Sequence, residues 1–395
     1  MKLKRLPEDF QVEERSGLRP TGGPFALYRL TKRSLGTPEA IDAIARQWNL
    51  PRPSIAFAGL KDRHALTTQY VTIQDGPRRG LKQQLILLEY LGQASRAVES
   101  RDIEGNAFVV VVRDVTTDEV AFAQQELARV ARDGLPNYFD NQRFGSLGES
   151  GEFIAKPWCL GNYERALWLA LADENAHDRP DQREQKQILR EWWGSWSVCK
   201  AKLARTEIGE IAARLNERLD YRQALAQVRQ DLRSIWLAAF QSHLWNQMLA
   251  ALIRETCPSS PFTTEQICRR DVPFFLTLSD DERMALHSAR LPLPSARLHL
   301  EDSPMKQLID RVMAEEGLAL REMRIKYPRD SFFSKGERAA VFLPNEVTHE
   351  TGADELYPGR HKLTLRFTLP RGSYATTLVK RIAGGSLEEP APMDG

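Results

Sequence analysis

Cysteine is scarce in this chain, and its cysteines are not spaced for metal binding or redox chemistry. The 395 residues include 4 cysteines, which are Cys159, Cys199, Cys257 and Cys268. They form no CxxC pair and no spacing with histidine that is typical of a zinc site. Unpaired thiols are typical of a reducing compartment. We therefore expect a cytoplasmic protein with no disulfide and no bound metal.

Long apolar segments are also absent. No run approaches the roughly 20 apolar residues that cross a bilayer, and the longest candidates, such as 108–112, are short enough to be buried strands. The N-terminal segment from Met1 to Asp9 lacks the apolar core of a signal peptide. The sequence thus predicts a protein that neither spans a membrane nor is secreted.

An excess of positive charge, the usual sign of a nucleic-acid-binding protein, is missing too. Lysine and arginine total 55 while aspartate and glutamate total 53, a net charge of +2 that by itself predicts no polyanionic partner. However, only 14 of the 55 basic residues are lysines and the other 41 are arginines. Arginine binds phosphate in a bidentate manner and stacks on bases, so this composition is compatible with a local anion-binding surface. The codon usage of a GC-rich genome is the alternative explanation.

The order of predicted elements indicates how the chain is organised. At about 150 residues per domain, the length predicts two or three domains. Strand patterns dominate the first part of the chain, at 10–14, 26–30, 55–57, 69–74 and 106–112. Helical stretches follow residue 173, and segment 362–369 alternates as a strand again. We expect an α+β fold in which the C-terminus rejoins the first domain and the middle is inserted.

Two helix starts and one long helix can be placed from the sequence. Thr37 and Thr117 are candidate N-caps, the first followed by proline and the second by two acidic residues. From residue 234 to 254 apolar side chains occupy two faces, which predicts a helix packed on both sides, between the domains.

The densest cluster of functional residue types is the segment 57–69. Asp62 lies between Lys61 and Arg63, and nearby cations lower the pKa of a carboxyl group and keep it ionised. An ionised carboxylate can attack a carbon atom or abstract a proton. The alternative is that Asp62 caps the following turn and that the flanking bases are solvated.

Two further segments have the composition of an RNA-binding surface. Segment 134–145 places aromatic side chains beside Asn, Gln and Arg, which suits an unpaired base, although an aromatic turn under a helix would look the same. Segment 360–381 contains basic but no acidic residues, and Arg360, Lys362 and Arg366 would share one face of a strand along a phosphate backbone. A charged edge strand that discourages aggregation is the alternative.

Five segments together resemble the ordered signature set of the TruD family of pseudouridine synthases. They are Lys4 to Phe10, Phe57 to Ala65, Gly105 to Phe108, Pro136 to Phe139 with Gln142 to Gly145, and Leu369 to Thr376. The resemblance implies a discontinuous pseudouridine synthase catalytic domain, with a mixed and mostly antiparallel sheet, at 1–172 and 328–395. An α/β insertion domain would occupy 173–327. Asp140 stands where relatives commonly have glycine.

The resemblance also implies an activity and roles for named residues. The family isomerises uridine 13 of transfer RNA, without cofactor or metal. Asp62 corresponds to the catalytic aspartate, Phe139 to the aromatic that stacks on the uridine and Asn137 to its polar neighbour. Lys4 corresponds to a basic residue near the active site. Lys61, Arg63 or Lys4 would hold Asp62 ionised or contact phosphate, while Arg360, Lys362, Arg366 and Arg371 are candidates for contacts with the RNA backbone.

Two other functions are compatible with parts of this pattern. One is an RNA-binding protein of the same fold without activity, and the other is a glycoside-cleaving enzyme, which would need a second carboxyl group near Asp62. The sequence leaves open whether Asp62 attacks C1′ or removes the 2′ proton. We expect a monomer that binds tRNA and does not associate with membranes.

Overall fold

Strands and helices alternate along the chain in a mixed architecture. The computed structural model describes residues 1–176 and 178–388. The strands are β1 (Phe10–Ser16), β2 (Phe25–Arg33), β3 (Ile55–Phe57), β4 (Leu66–Gln74), β5 (Leu81–Lys82), β6 (Ile86–Ala94), β7 (Ile103–Val115), β8 (Leu135–Pro136), β9 (Phe262–Ile267), β10 (Arg270–Phe275), β11 (Arg290–Pro292), β12 (Glu337–Ala339), β13 (Val341–Phe342), β14 (Asn345–Ala353) and β15 (His361–Pro370). The helices are α1 (Thr37–Trp48), α2 (Thr117–Asp133), α3 (Ala155–Cys159), α4 (Tyr163–Leu171), α5 (Pro180–Trp192), α6 (Trp196–Lys202), α7 (Glu207–Glu217), α8 (Tyr221–Gln227), α9 (Gln230–Thr256), α10 (Asp280–Ser288), α11 (Pro304–Glu315) and α12 (Ala375–Ala383).

These elements form two compact units. Unit 1 comprises residues 1–135 and the described residues from 342 onward, and unit 2 is the middle of the chain, Pro136–Val341. The boundaries fall within the short strands β8 and β13, whereas the sequence placed the domain boundaries at 172/173 and 327/328. Residues 389–395 of the predicted last segment lie outside the described residues. Which unit is catalytic and which is an insertion stays a prediction.

A mixed sheet forms the centre of unit 1. Its strand order is β14-β15-β7-β1-β4-β2-β6-β5, with β3 paired to β4. Strands β1 and β4 are parallel, and the other pairs are antiparallel. The C-terminal strand β15 pairs with β7 from His361 to Pro370, so it is an inner strand and not the charged edge strand that was the alternative at sequence level. The predicted α+β class and mostly antiparallel sheet are confirmed.

Three helices cover the sheet of unit 1 with apolar side chains. Helix α1 packs Ile41 and Ile44 against β2 and β4, while α2 and α12 bury Leu127 and Leu378 against β7 and β15. Their packing follows from the alternation of the strands and the helical spacing of the apolar residues.

The two predicted N-caps are wrong by one residue. Gly36 precedes α1, and Thr116 caps α2 by accepting a hydrogen bond from the backbone N–H of Glu119 at 3.2 Å. Thr37 does not cap its helix, because its hydroxyl oxygen accepts from the backbone N–H of Lys61 at 3.0 Å while its hydroxyl group donates to Oε1 of Gln69 at 2.9 Å. A tertiary contact therefore replaced a local one that the sequence favoured.

Unit 2 is mainly helical and is built around α9. This helix extends four residues beyond the predicted 234–254 at its start and two at its end, and its side chains from Ala239 to Asn246 are all buried. The prediction that both faces pack is confirmed by this burial. The surrounding helices, the hairpin β9–β10 and the strand β11, which pairs with β12, share one hydrophobic core with it.

A buried arginine on β7 connects the two ends of the chain in unit 1. The guanidinium group of Arg113 donates from Nε to Asp9 at 2.9 Å and from Nη1 to Asp354 at 3.0 Å. All three residues are at least 95% buried. The backbone of Arg113 also exchanges two hydrogen bonds with Lys2, both 2.8 Å long. Because buried charges are stable only when paired, Arg113 holds the N-terminal segment and the C-terminal strands at defined positions.

Arg113→Leu tests this connection. The substitution leaves the carboxylates of Asp9 and Asp354 buried without their cation, so we expect the free energy of unfolding of unit 1 to fall by about 3–5 kcal/mol. Trp48 is the only tryptophan in unit 1, so urea titration of fluorotryptophan-labelled protein, followed by NMR, reports on this unit alone. The control is Arg29→Leu, which breaks an exposed pair with Glu13 and should lower the free energy by less than about 1 kcal/mol. Equal effects of both variants would contradict the role of Arg113.

Candidate active site

The Asp62 loop, residues 58–65, connects β3 to β4 in unit 1. The hydroxyl oxygen of Thr37 accepts a hydrogen bond from the backbone N–H of Lys61 at 3.0 Å. The side chain of Gln69 donates to the carbonyl oxygen of Gly59 at 3.2 Å. Since Thr37 also donates to Gln69, the first turn of α1 and the strand β4 hold the loop through one chain of hydrogen bonds.

The carboxylate of Asp62 has two hydrogen-bond donors in unit 1. The ammonium group of Lys4 donates to Oδ2, and the backbone N–H of His64 donates to Oδ1 at 3.0 Å. Lys4 has a φ of 54°, an unusual value for a residue with a side chain, and its Nζ lies 4.4 Å from the centre of the Phe10 ring. A strained backbone thus carries the cation that meets Asp62.

Electrostatics keep Asp62 ionised. Burial opposes the charged form, but the charge and hydrogen bond of Lys4, together with the N–H and the charge of His64, outweigh it and lower the pKa of Asp62 below its ordinary value of 3.8. At neutral pH the group is a carboxylate. Such a group can act as a nucleophile or as a base.

The two cations beside Asp62 in the sequence bind other groups. Lys61 Nζ lies 2.9 Å from Oε1 of Glu14 and donates to Oδ1 of Asn106 at 2.8 Å. The exposed Arg63 lies 3.5 Å from Oε1 of Glu39. Three cations were predicted as partners of Asp62, and in the structure Lys4 binds its carboxylate. Lys61 and Arg63 flank Asp62 in the turn, and their side chains point to other groups.

Lys32, for which no role was predicted from the sequence, is buried and holds the Asp62 loop through hydrogen bonds to its backbone. Lys32 on β2 has no exposed surface, and its ammonium group donates to the carbonyl oxygens of Leu35 at 2.5 Å, Asp62 at 2.8 Å and Lys61 at 3.4 Å. Burial lowers the pKa of Lys32 to about 8, against the charges of Asp62 and Glu39, which raise it. A signal was available, since Lys32 continues the core-facing alternation of residues 26, 28 and 30.

The second group of predicted site residues, the Phe139 segment (137–139), lies in unit 2. The backbone of Phe139 is held on both sides by the buried Asn246 of α9, which accepts from its N–H at 2.9 Å and donates to its carbonyl oxygen at 2.8 Å. No site role was predicted for Asn246 from the sequence, although a polar side chain in an otherwise apolar stretch of a buried helix was a signal.

Aromatic and cationic groups surround the ring of Phe139 within unit 2. Trp245 packs edge-on at 5.5 Å, with an interplanar angle of 84°. The guanidinium carbon of Arg338 lies 4.3 Å from the ring centre and that of Arg143 lies 5.6 Å away. Cations attract the negative face of an aromatic ring, so these contacts fix the ring orientation.

The side chain of Asn137 is engaged inside unit 2. Its amide group donates to the carbonyl oxygen of Ala339 at 3.0 Å, and its Oδ1 accepts from Nη2 of Arg338 at 2.5 Å. These contacts favour a supporting role over direct recognition of a base. Asp140, in the position where glycine was expected, has a φ of −84° and therefore needs no glycine.

The cations of the basic C-terminal segment, residues 360–381, are less available for contacts with an RNA backbone than the sequence suggested. Arg360 lies outside β15 and donates to Oδ1 of Asp114 at 2.7 Å, and Lys362 donates to Glu355 at 2.7 Å. Arg371 donates to the carbonyl oxygen of Ser100 at 2.6 Å. Arg366 is exposed on β15. Part of the predicted positive charge is thus neutralised within unit 1.

Two further features concern ligands and membranes. Across residues 1–176 and 178–388, no group of three or more His, Cys, Asp or Glu side chains is placed to hold a metal ion. Over the same residues, the helices are too short or too polar to cross a bilayer.

Comparison with known proteins gives consistent matches along the whole chain. A family model described as tRNA pseudouridine synthase D (TruD) matches residues 1–382. A relative from Methanocaldococcus jannaschii, named probable tRNA pseudouridine synthase D 2, is 31% identical over 389 residues, which is 96% of this chain and 91% of the relative. A tRNA pseudouridine synthase D from Aquifex aeolicus is 28% identical over 395 residues, covering 97% of this chain and 98% of that protein.

A solved structure shows the same fold. The crystal structure of a putative tRNA pseudouridine synthase D from Methanosarcina mazei superposes with a TM-score of 0.69 and 23% identity, covering 97% of this chain and 93% of that one. The fold class and the family resemblance predicted from the sequence are confirmed.

The pKa of Lys32 makes a testable prediction for the Asp62 loop. Opening of the loop returns the ammonium group of Lys32 to water and restores its ordinary pKa of 10.5, whereas under the closed loop burial lowers this pKa to about 8. The open loop therefore binds more protons in this range, and we expect the protection of the loop amides of Lys61 and His64 to rise roughly tenfold between pH 7 and 9. Hydrogen–deuterium exchange, corrected for the intrinsic rate, measures it.

The free energy of global unfolding should change in the same direction. The folded-state pKa of Lys32 lies below its ordinary value of 10.5, so between these values the unfolded chain binds more protons and the contribution of Lys32 to the free energy of unfolding rises with pH. Lys32→Met should show low protection at every pH, and the exposed Lys82→Met should behave as the wild type. Protection that is independent of pH in the wild type and unchanged in Lys32→Met would disprove the role of Lys32.

Proposed function

The chain belongs to the TruD family, tRNA pseudouridine synthase D, and we propose from this that it isomerises uridine to pseudouridine in tRNA. The observation that carries the proposal is the ionised carboxylate of Asp62, which the family motif marks and which Lys4 and the N–H of His64 hold. We further propose that the target is uridine 13 of the D-arm, as the resemblance implies.

The proposed reaction exchanges one bond to the ribose for another. The bond between N1 of uracil and C1′ breaks, the base rotates, and C5 forms a new bond with C1′. C5 loses its hydrogen as a proton, and N1 gains one. No electrons leave or enter the substrate, so the isomerisation is balanced without an oxidant or a reductant.

We propose Asp62 as the catalytic residue. As a nucleophile, its free carboxylate would attack C1′, expel uracil as an anion and leave again when C5 attacks. As a base, it would remove the 2′ proton, so that uracil leaves with formation of a glycal. Both routes need an ionised carboxylate, which the low pKa of Asp62 supports.

Phe139 is proposed to stack on the uracil after the base has left the RNA stack. A detached base must be held by its π-face, and aromatic side chains serve this purpose in base-flipping enzymes. The contacts of Phe139 with Asn246, Trp245 and Arg338 support the proposal, since they preorganise the ring. The roles of Lys61, Arg63 and Asn137 are proposed as supporting ones.

The variant Asp62→Asn tests the catalytic assignment. It keeps the size and an acceptor oxygen but removes the charge, so we expect pseudouridine formation to fall by at least about a thousandfold, while the Kd for tRNA changes less than about threefold. Release of tritium from tRNA labelled at C5 of uridine gives the rate, and carbodiimide mapping gives the position. Asp42→Asn, which breaks an exposed pair with Arg52, is the control.

Two outcomes would contradict these assignments. Product formation by Asp62→Asn at the wild-type rate would exclude Asp62 as the catalytic group. Product formed equally well in a tRNA with cytidine at position 13 would exclude uridine 13 as the target. Binding of tRNA by the wild type without any product would instead support a silent RNA-binding protein.

A change at Phe139 separates stacking from RNA binding. Base–aromatic stacking is worth about 1–3 kcal/mol, so Phe139→Ala should lower kcat roughly tenfold to a hundredfold and should change the Kd for tRNA much less. Phe139→Tyr keeps the ring and should retain most of the activity. Single-turnover kinetics and filter binding measure the two quantities, and a matched loss in both would count against the stacking role.

A further inference from the structure

Unit 2 contains an open cavity that none of the proposed catalytic residues lines. Its volume is about 620 Å³, which lies within the range of ligand sites. The described residues that line it include four cations, which are Arg297, Arg324, Lys326 and Arg329, together with Ser331 and Phe332. None of the described lining residues is acidic.

The four cations have no partner among the described residues of the chain. Arg297, Arg324, Lys326 and Arg329 are exposed, and within the described part of the chain their side chains form no ion pair or hydrogen bond. By contrast, three other exposed arginines of unit 2, Arg179, Arg229 and Arg290, are paired with the acidic residues Asp181, Asp231 and Glu337. The positive charge of this cavity is therefore available to an anionic ligand.

The cavity is built on buried polar contacts with α9. Arg233, which is 4% exposed, donates from Nη1 and Nη2 to the two carboxylate oxygens of Asp330 at 2.8 and 2.9 Å. The buried Gln241 donates to the carbonyl oxygens of Pro294 at 3.0 Å and Ser334 at 2.8 Å. These contacts hold the two chain segments that line the cavity, 295–297 and 323–333. The contact with Arg233 also neutralises Asp330, the acidic residue next to Arg329.

An exposed aromatic side chain completes the cavity. Phe332 is 63% exposed, although both its neighbours, Ser331 and Phe333, are buried. An inorganic anion or a phosphopeptide needs cations but no aromatic surface. Single-stranded nucleic acid needs both, because its phosphates bind cations and its bases stack on aromatic rings.

We propose that this cavity binds an unpaired stretch of RNA. The four cations contact its phosphodiester backbone, and one base stacks on Phe332. The identification of the RNA as part of the tRNA substrate rests on the proposed function, and the cavity adds a binding surface in the unit that does not contain Asp62.

The salt dependence of tRNA binding tests the proposed contacts between the four cations and the phosphates. Each phosphate contact of a single strand contributes about 0.7 to the slope of log Kd against log salt. The double variant Arg324→Gln/Lys326→Gln should therefore lower this slope by about 1.4 and raise Kd roughly tenfold to thirtyfold at about 0.1 M salt. The control is Arg179→Gln/Arg229→Gln, which removes two exposed but paired arginines and should leave the slope unchanged.

The variant Phe332→Ala tests whether a base stacks on Phe332. It should raise Kd roughly fivefold to a hundredfold without a change in slope, and Phe332→Tyr should bind as the wild type. Because the three substituted side chains are exposed, the variants should keep the thermal midpoint of the wild type. Pseudouridine formation at limiting tRNA should fall in proportion to the rise in Kd.

The possible results separate the two proposals. Normal product with unchanged Kd and slope in all variants would overturn the RNA-binding cavity. Variant effects on binding without any pseudouridine from the wild type would overturn the proposed function and support the cavity. Tighter binding of the wild type to vesicles with one-third phosphatidylserine than to tRNA, lost in the same variants, would assign the cavity to a membrane surface and also overturn it.

Discussion

The buried guanidinium group of Arg113 is the interaction on which the candidate site depends. It binds Asp9 and Asp354 from opposite ends of the chain, and its backbone pairs with Lys2. Lys4 lies between Lys2 and Asp9, so the same contacts that secure the N-terminal segment bring its ammonium group to Asp62. The ionisation of a carboxylate on one loop thus depends on a residue far away in the sequence.

Charges inside unit 1 follow one physical rule. A buried charge is costly unless an opposite charge or several dipoles compensate it. Lys61 with Glu14, and Lys32 with three carbonyl oxygens, obey this rule and at the same time hold the Asp62 loop. Stability and preorganisation of the loop therefore arise from the same contacts.

The near-zero net charge of the chain is also explained by charge pairing inside the fold. Many arginines are used in pairs, as Arg360 is with Asp114, and these contribute little to the field outside the protein. What remains available is local, as at Arg324 and Lys326 of unit 2. The total of +2 therefore says little about affinity for RNA, because binding responds to the local field.

Local patterns predicted the elements well and the contacts poorly. Strand β3 was predicted at 55–57 and is found there, since alternation and turn residues are short-range signals. The prediction of Thr37 as an N-cap was wrong, because its hydroxyl group is hydrogen-bonded to Gln69, which is distant in sequence. Lys4 was predicted as a cation for Asp62 alongside the two sequence neighbours Lys61 and Arg63. Only the fold could show that Lys4 meets the carboxylate and that Lys61 binds Glu14. It also placed Lys32 beneath the loop, for which no role was predicted.

By itself the sequence determined the family and the α+β class, because these depend on motifs and periodicity, and it predicted the residue types of the candidate site. The tertiary structure decided which cation meets Asp62, which predicted contacts are already used, and where unpaired positive charge remains. The physical reason is that pKa values, burial and charge pairing depend on distances between atoms, and the folded chain sets those distances between residues far apart in sequence.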